Sequence, residues 1–230
     1  MEKTGLDEPQ PMSAMEELAR DPASRRRFLR QVGGGAAAGS FALFLAACGT
    51  QKKEKTLGGS DPKTGAGVGT DRFGKGDVGI ALFALMLENI EIDFYEKAIA
   101  GGKLTGRVGE LARRFADQEA QHAKALEGVV VQLGGEVPKP AATKFTLEGA
   151  QQILQQAITF ENLGVGALLG QAARIENKEL LAAALSMHSV EARHAAALMV
   201  ASGGSPTPDG AFARPETAGN VLDAIQPNLV

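Results

Sequence analysis

Residues 117–123 read DQEAQHA, and residues 190–196 read VEARHAA. Each stretch places a glutamate three residues before a histidine, as Glu119 with His122 and as Glu191 with His194. Residues three apart on an α-helix lie on one side of it, a shallow step along the axis, so a carboxylate and an imidazole at that spacing can reach the same ion. Two such pairs predict a metal centre inside a bundle of helices.

The glutamates of both pairs, and a third glutamate between them in the chain, lie on apolar stripes that helical periodicity turns inward. Glu119 shares its stripe with Phe115 and Leu126, Glu161 with Ile158 and Val165, and Glu191 with Met187 and Leu198. Glutamate is almost never buried without a partner, and converging carboxylates would take up protons or destabilise the fold by several kcal/mol each. Two divalent cations would balance four such carboxylates, because neutral imidazoles add no charge.

Apolar periodicity between residues 77 and 203 predicts four helices. Their expected ranges are 77–100, 107–133, 146–175 with Thr146 as N-cap, and 178–201. Three glycines, Gly164, Gly166 and Gly170, weaken the third helix locally. The segment 134–145 contains two prolines and could stretch roughly 40 Å, about the length of the helices that it joins. We therefore expect an all-α four-helix bundle with a long crossover between the second and third helices.

Composition supports this fold class and excludes others. The chain has 230 residues, of which 44% are hydrophobic and 5% aromatic, with a net charge of −3. A nucleic-acid-binding surface needs an excess of Lys and Arg, so we expect no nucleic-acid partner. A single cysteine, Cys48, excludes an internal disulfide framework.

The first 75 residues indicate a targeting segment followed by a flexible tether. Residues 24–30 read SRRRFLR and precede a short Gly- and Ala-rich apolar run that ends in LAAC at residues 45–48. This layout resembles a twin-arginine export signal, with Arg25 and Arg26 as the arginine pair, joined to a lipoprotein processing box. The resemblance implies a signal peptide over 1–47, a lipid-modified Cys48 and a location at the cell envelope on a membrane surface. Residues 48–75 contain almost no large apolar side chains and are expected to be a flexible tether with a span of roughly 30 Å.

A family resemblance follows from longer strings over residues 77–203. Residues 87–95 read LENIEIDFY, and together with residues 190–196 they resemble the di-iron carboxylate proteins of the ferritin and rubrerythrin superfamily. More narrowly, they are similar to bacterial ferritin-like domain proteins with export signals, a group related to desiccation-associated proteins. The resemblance implies a ferritin-like bundle whose metal ligands are Glu88, Glu119, His122, Glu161, Glu191 and His194.

The acidic ligand of the first helix is open between Glu88 and Glu91. Helical arithmetic favours Glu91, which lies opposite the polar face beside Leu87 and Phe94. The resemblance favours Glu88, because Tyr95 follows it by seven positions, as a tyrosine does in ferritins. Glu88 is the choice here, with Glu91 as the alternative. By the same resemblance Tyr95 is a hydrogen-bond donor or redox-active phenol beside the metals, although a structural hydrogen bond would explain it equally.

The expected cofactor is a pair of iron ions, with manganese as the alternative metal. The predicted activity is oxidation of Fe(II) or reduction of O2 or peroxide in protection against oxidative stress, with Glu88 and either Glu119 or Glu191 bridging the metals. The alternative is a non-catalytic metal-binding or desiccation-protection bundle. Residues 204–230 are expected to pack on the bundle through Val221, Leu222 and Ile225, and the sequence leaves the oligomeric state open, with a homodimer as one option.

Overall fold

A computed structural model describes residues 69–230 of the chain, and in that part helices form the fold. The four long helices are α1 (Gly76–Ala100), α2 (Gly106–Gln132), α3 (Ala150–Ala172) and α4 (Lys178–Ala201), and a short fifth helix, α5, spans Ala218–Ile225. Single 3₁₀ turns lie at Thr70–Arg72 and Gln226–Asn228. The predicted all-α fold class is confirmed.

The four long helices pack as two hairpins placed side by side. Helix α1 packs along α2 and helix α3 along α4, while α1 also contacts α3 and α2 contacts α4. Short turns connect the helices within each hairpin, whereas residues 133–149 form the long crossover between the hairpins. The inner faces of all four helices therefore meet along one axis, in the arrangement predicted from the loop lengths.

Two apolar layers fill the bundle on either side of its middle. One layer contains Phe94, Tyr95, Phe115, Ile153 and Leu198, and the other contains Leu85, Leu126, Val130, Leu180 and Met187. Full burial of one such side chain contributes about 1.5–3 kcal/mol. The acidic and imidazole side chains predicted as ligands occupy the helical turns between these layers, so the fold supplies the energy that holds a polar centre in its interior.

The C-terminal tail lies against α3, where two of its glycines make room for it. A Cβ atom on Gly170 would lie 1.9 Å from the Glu216 carbonyl oxygen, and one on Gly166 would lie 2.7 Å from Glu216 Cγ. The Glu216 backbone N–H also donates to the Gly166 carbonyl at 2.8 Å. These glycines, which weaken the helix when only local propensity is considered, are the contact surface for the tail.

Beyond this contact, α5 covers the outer face that α1 and α3 share. The predicted tail residues Val221, Leu222 and Ile225 are buried there, against a set of side chains that includes Phe83, Leu87, Ile90 and Ala167. The chain end then joins the crossover, because Thr143 and Leu229 form an antiparallel bridge and Lys144 N–H donates to the Asn228 carbonyl at 2.9 Å. The tail thus closes one side of the bundle.

Three sequence expectations differ from the structure at their boundaries. Helix α3 begins at Ala150 with Gly149 as N-cap, not at Thr146, because the preceding crossover stays extended while its backbone pairs with the tail. The same helix ends at Ala172 instead of 175. The last residues of the predicted tether, 69–75, belong to the fold: Thr70 is buried, and the Phe73 ring packs 5.9 Å from that of Phe83.

The predicted signal peptide (1–47), Arg25, Arg26, Cys48 and the tether up to residue 68 lie outside the described residues. Within 69–230, none of the helices is both long and apolar enough to cross a bilayer.

Candidate metal centre

All six side chains predicted as metal ligands converge in the middle of the bundle. They come from all four long helices: Glu88 from α1, Glu119 and His122 from α2, Glu161 from α3, and Glu191 and His194 from α4. Five of them are buried, and His122, at 13% side-chain exposure, is the most accessible. Their donor atoms form two groups, each compact enough to hold one ion, with at most 4.8 Å between any two donors in a group.

The first group surrounds the Nδ1 atom of His122. That nitrogen lies 2.8 Å from Glu191 Oε1, 2.9 Å from Glu119 Oε2 and 3.4 Å from Glu88 Oε2. One ring nitrogen can donate a single hydrogen, yet three carboxylates approach it. The first group is therefore three carboxylates and one imidazole around a common point.

The second group surrounds the Nδ1 atom of His194 in the same way. That nitrogen lies 2.9 Å from Glu119 Oε1, 3.2 Å from Glu161 Oε2 and 3.7 Å from Glu191 Oε2. The two imidazole rings are nearly parallel, with 6.4 Å between their centroids. The centre consequently has two halves of the same composition, each with three carboxylates and one imidazole.

Two glutamates belong to both halves and connect them. Glu119 directs Oε2 to the first half and Oε1 to the second, and Glu191 directs Oε1 to the first and Oε2 to the second. A carboxylate with one oxygen toward each of two positions can bridge a pair of ions. Glu88 belongs to the first half alone, so the geometry favours Glu119 and Glu191 as bridging carboxylates, and bridging by Glu88 stays a prediction.

Neighbouring side chains fix the orientation of the second half. Tyr95, which is buried, donates its hydroxyl hydrogen to Glu161 Oε1 at 2.5 Å. His194 Nε2 lies 2.8 Å from Gln118 Oε1, and the Phe115 ring stacks on the His194 ring with 3.9 Å between centroids. A hydrogen on Nε2 that is donated to Gln118 leaves Nδ1 directed at the carboxylates, as metal-binding histidines require. No local sequence pattern predicts the role of Gln118, because its contact with His194 is made across the bundle.

Without a cation, the centre brings several carboxylates together in the protein interior, which is electrostatically unfavourable. Burial raises the pKa of Glu88 and of Glu161 well above the ordinary value, and the adjacent Glu191 and Glu119 raise both further. Burial lowers the pKa of the histidines, but hydrogen bonds to the glutamates outweigh it and raise the pKa of His122 to about 12 and of His194 to about 11. Protons therefore take the place of positive ions in the metal-free centre.

The unsatisfied atoms of the centre fit a pair of metal ions. Four buried carboxylate oxygens share the two imidazole Nδ1 atoms with other carboxylates, and among the described residues none of them has a hydrogen-bond donor of its own: Glu88 Oε2, Glu119 Oε1, Glu191 Oε1 and Glu191 Oε2. Unpaired buried acceptors cost free energy, so they need an explanation. All four point to the positions that the two groups define, and each would become a ligand if those positions held cations. The donor set, rich in oxygen with one imidazole for each position, suits Fe(II) or Mn(II) better than Zn(II).

Glu91 also faces the centre, although it belongs to neither group. It is 4% exposed, and burial together with Glu191 and Glu88 raises its pKa well above the ordinary value. The absence of a side chain at Gly164 makes room for it, since a Cβ atom there would lie 3.4 Å from Glu91 Oε1. Both acids of α1 thus point inward, and the structure places Glu88, not Glu91, within one of the two groups that could hold a metal ion.

Residues 76–203 match the family model of the ferritin-like domain, which covers more than half of the chain. The chain belongs to the ferritin-like domain family. Ferritin-like architecture, predicted from the crossover and the ligand spacing, is therefore confirmed. A comparison with curated proteins found no match. The family and the buried carboxylate and histidine cluster fit a di-iron site within the ferritin-like domain.

Proposed function

We propose that this ferritin-like protein holds two iron ions and uses them as an oxidoreductase, oxidising Fe(II) with O2 or peroxide. The observation that carries the proposal is the pair of four-residue groups that share Glu119 and Glu191. The sharing keeps two ions close together, so that they can act on one molecule of oxidant. Manganese fits the same donors and is the alternative metal.

A bound iron pair would supply two electrons, which with two protons convert O2 to hydrogen peroxide, or hydrogen peroxide to two molecules of water. The protein's own part is positional. Glu119 and Glu191 would hold both ions, Tyr95 holds Glu161 in place, and Gln118 orients His194. The apolar layers above and below exclude water from the centre. A phenol hydrogen-bonded to a ligand carboxylate can also donate a hydrogen atom, which is the role proposed for Tyr95.

The test is to load the purified chain with Fe(II) without oxygen, count the bound metal, and then follow oxidation after adding O2 or peroxide. We expect about two iron ions per chain and oxidation much faster than in buffer alone. Glu119→Ala should abolish both, because it removes a ligand from each half. Glu127→Ala on the exposed face of the same helix is the matched control and should change neither. Full oxidation rate in the Glu119→Ala protein would overturn the proposal.

We also propose that the protein is exported through the twin-arginine route and anchored at the cell envelope by a lipid on Cys48. The motif at residues 24–30 and the LAAC box support this. Mass spectrometry of the mature protein should find a lipid-modified Cys48 as the first residue. Arg25→Lys combined with Arg26→Lys should leave the uncleaved chain in the cytoplasm. An unmodified Cys48 within a full-length protein would contradict the proposal.

A further inference from the structure

A small apolar cavity adjoins the Glu88 half of the centre. Its volume is about 20 Å³, measured as the space that the centre of a water-sized sphere can reach. Its wall consists mainly of apolar side chains from all four long helices, among them Ala84, Leu87, Leu126, Ala167, Leu168 and Ala184. Such a space is enough for about one small molecule.

The cavity makes the two halves of the centre chemically different. In the second half, Glu161 is held by the Tyr95 hydroxyl at 2.5 Å. In the first half, the equivalent carboxylate, Glu88, lines the cavity, and its buried Oε2 has only the His122 Nδ1 atom nearby, at 3.4 Å, a nitrogen that two other carboxylates approach more closely. One half is therefore packed against a phenol, and the other adjoins a space that an apolar ligand could occupy.

The lining favours an apolar occupant over a polar one. A buried water or peroxide molecule needs two to four polar partners. Only Glu88 and Gln171 among the lining residues carry a polar side chain, and the Gln171 Oε1 atom already accepts from Arg174 Nη1 at 2.6 Å. Polar reactants have a different approach, at His122, whose side chain is the one in the centre that is partly exposed.

We propose that this cavity is a dioxygen-binding site that feeds the Glu88 half of the metal centre. Dioxygen is small and apolar, and it needs no hydrogen bonds from the wall. The cavity is too small for an organic substrate of any size. The inference rests on the proposed function, and it deepens it by assigning dioxygen, not peroxide, as the oxidant that the protein binds.

The first test detects dioxygen in the cavity without any turnover. Dissolved O2 is paramagnetic and speeds the nuclear relaxation of methyl groups beside it. The full chain is compared under O2 and N2 pressure, metal-free if circular dichroism shows it helical, and otherwise loaded with redox-inert Zn(II). We expect stronger relaxation at the Ala84, Ala167 and Leu168 methyls than at the methyls of Ala112 and Leu154, which cover a similar range of burial but do not line the cavity. Equal relaxation at both sets would overturn the proposal.

The second test fills the cavity. Ala84→Val adds two methyl groups to the wall beside Glu88, and Ala98→Val on the same helix is the matched control. We expect Ala84→Val to raise the O2 concentration for half-maximal Fe(II) oxidation at least several-fold, with iron content and the rate with hydrogen peroxide unchanged. Ala167→Val, from α3, should do the same, and it provides the test if Ala84→Val does not fold.

The outcomes separate this inference from the proposed function. An unchanged O2 dependence in a folded, iron-loaded cavity variant would refute the dioxygen site and leave the iron centre standing. A wild-type chain that binds no iron pair would refute the proposed function, whereas the relaxation experiment would still report on the cavity. Equal loss of O2 and peroxide rates in Ala84→Val would mean damage to the centre and would also count against a dedicated dioxygen site.

Discussion

Two glutamates on one helix face the same centre, and a pair of conservative substitutions distinguishes their roles. Glu88→Gln removes a carboxylate from the first group, so we expect the metal content to fall from about two ions to about one, with affinity at that position at least about 10-fold weaker. Glu91→Gln is the matched control, because Glu91 is equally buried one turn away but belongs to neither group. It should keep two metals. Metal analysis by mass spectrometry checks both, and a one-metal Glu91→Gln protein would reverse the assignment.

The raised pKa values predict that protons and metal ions compete for the centre. At neutral pH His122 and His194 of the metal-free centre each carry a proton, and the raised pKa values of Glu88 and Glu161 favour their protonated forms, so binding of two divalent ions should release protons. Affinity for Mn(II), which does not oxidise readily in air at neutral pH, should therefore rise with pH. Calorimetry in buffers of different ionisation enthalpy measures the released protons. Binding without proton release would show that the centre is already deprotonated.

The same groups set the pH dependence of the metal-free fold. Their folded pKa values lie above the ordinary 4.5 of glutamate and 6.5 of histidine, so they stabilise the fold fully below those ordinary values. That stabilisation is lost as the pH rises toward the folded pKa values. The melting temperature of the metal-free chain should consequently be higher at pH 5.5 than at pH 8. Circular dichroism after chelation measures this melting temperature. A higher melting temperature at pH 8 than at pH 5.5 would contradict the prediction.

At the scale of the element, the contacts of the α3 glycines predict a change in stability that is opposite in sign to the change expected from helix propensity alone. Replacing a helical glycine by alanine ordinarily stabilises a helix by about 0.5–1 kcal/mol. Gly170→Ala should instead destabilise the chain by about 1–3 kcal/mol, because its Cβ atom would overlap the Glu216 carbonyl. Gly128→Ala is the control, since a Cβ atom there meets nothing within 4 Å. The change in the free energy of unfolding, measured with urea, should be opposite in sign for the two variants. A change of the same sign in both would mean that the tail does not pack tightly against α3.

Helix α1 shows how far the sequence alone could determine the site. The two E-x-x-H pairs were predictable because their spacing is local and each lies on a single stripe. The choice between Glu88 and Glu91 was not predictable from the sequence, because apolar residues lie on nearly every side of α1. Phe83, Leu87 and Ile90 of α1 pack against α5, and this contact with the tail is distant in sequence. The Gln118 contact and the apolar cavity also arise only when separate helices meet.

At the scale of the molecule, four helices that meet at buried carboxylates should depend on metal for their stability. An ion bound only by the folded state stabilises it by RT ln(1 + [M]/Kd), about 2.7 kcal/mol at a hundredfold excess over Kd. Chelation should therefore lower the melting temperature of the wild-type chain by several degrees. Glu91→Gln should recover part of that loss in the metal-free chain, because it removes a buried acid that neither metal position contacts. Calorimetry with and without chelator measures both effects. Strong metal stabilisation with no Fe(II) oxidation would favour the non-catalytic alternative, whereas a melting temperature indifferent to chelation would mean that the centre holds no metal in solution.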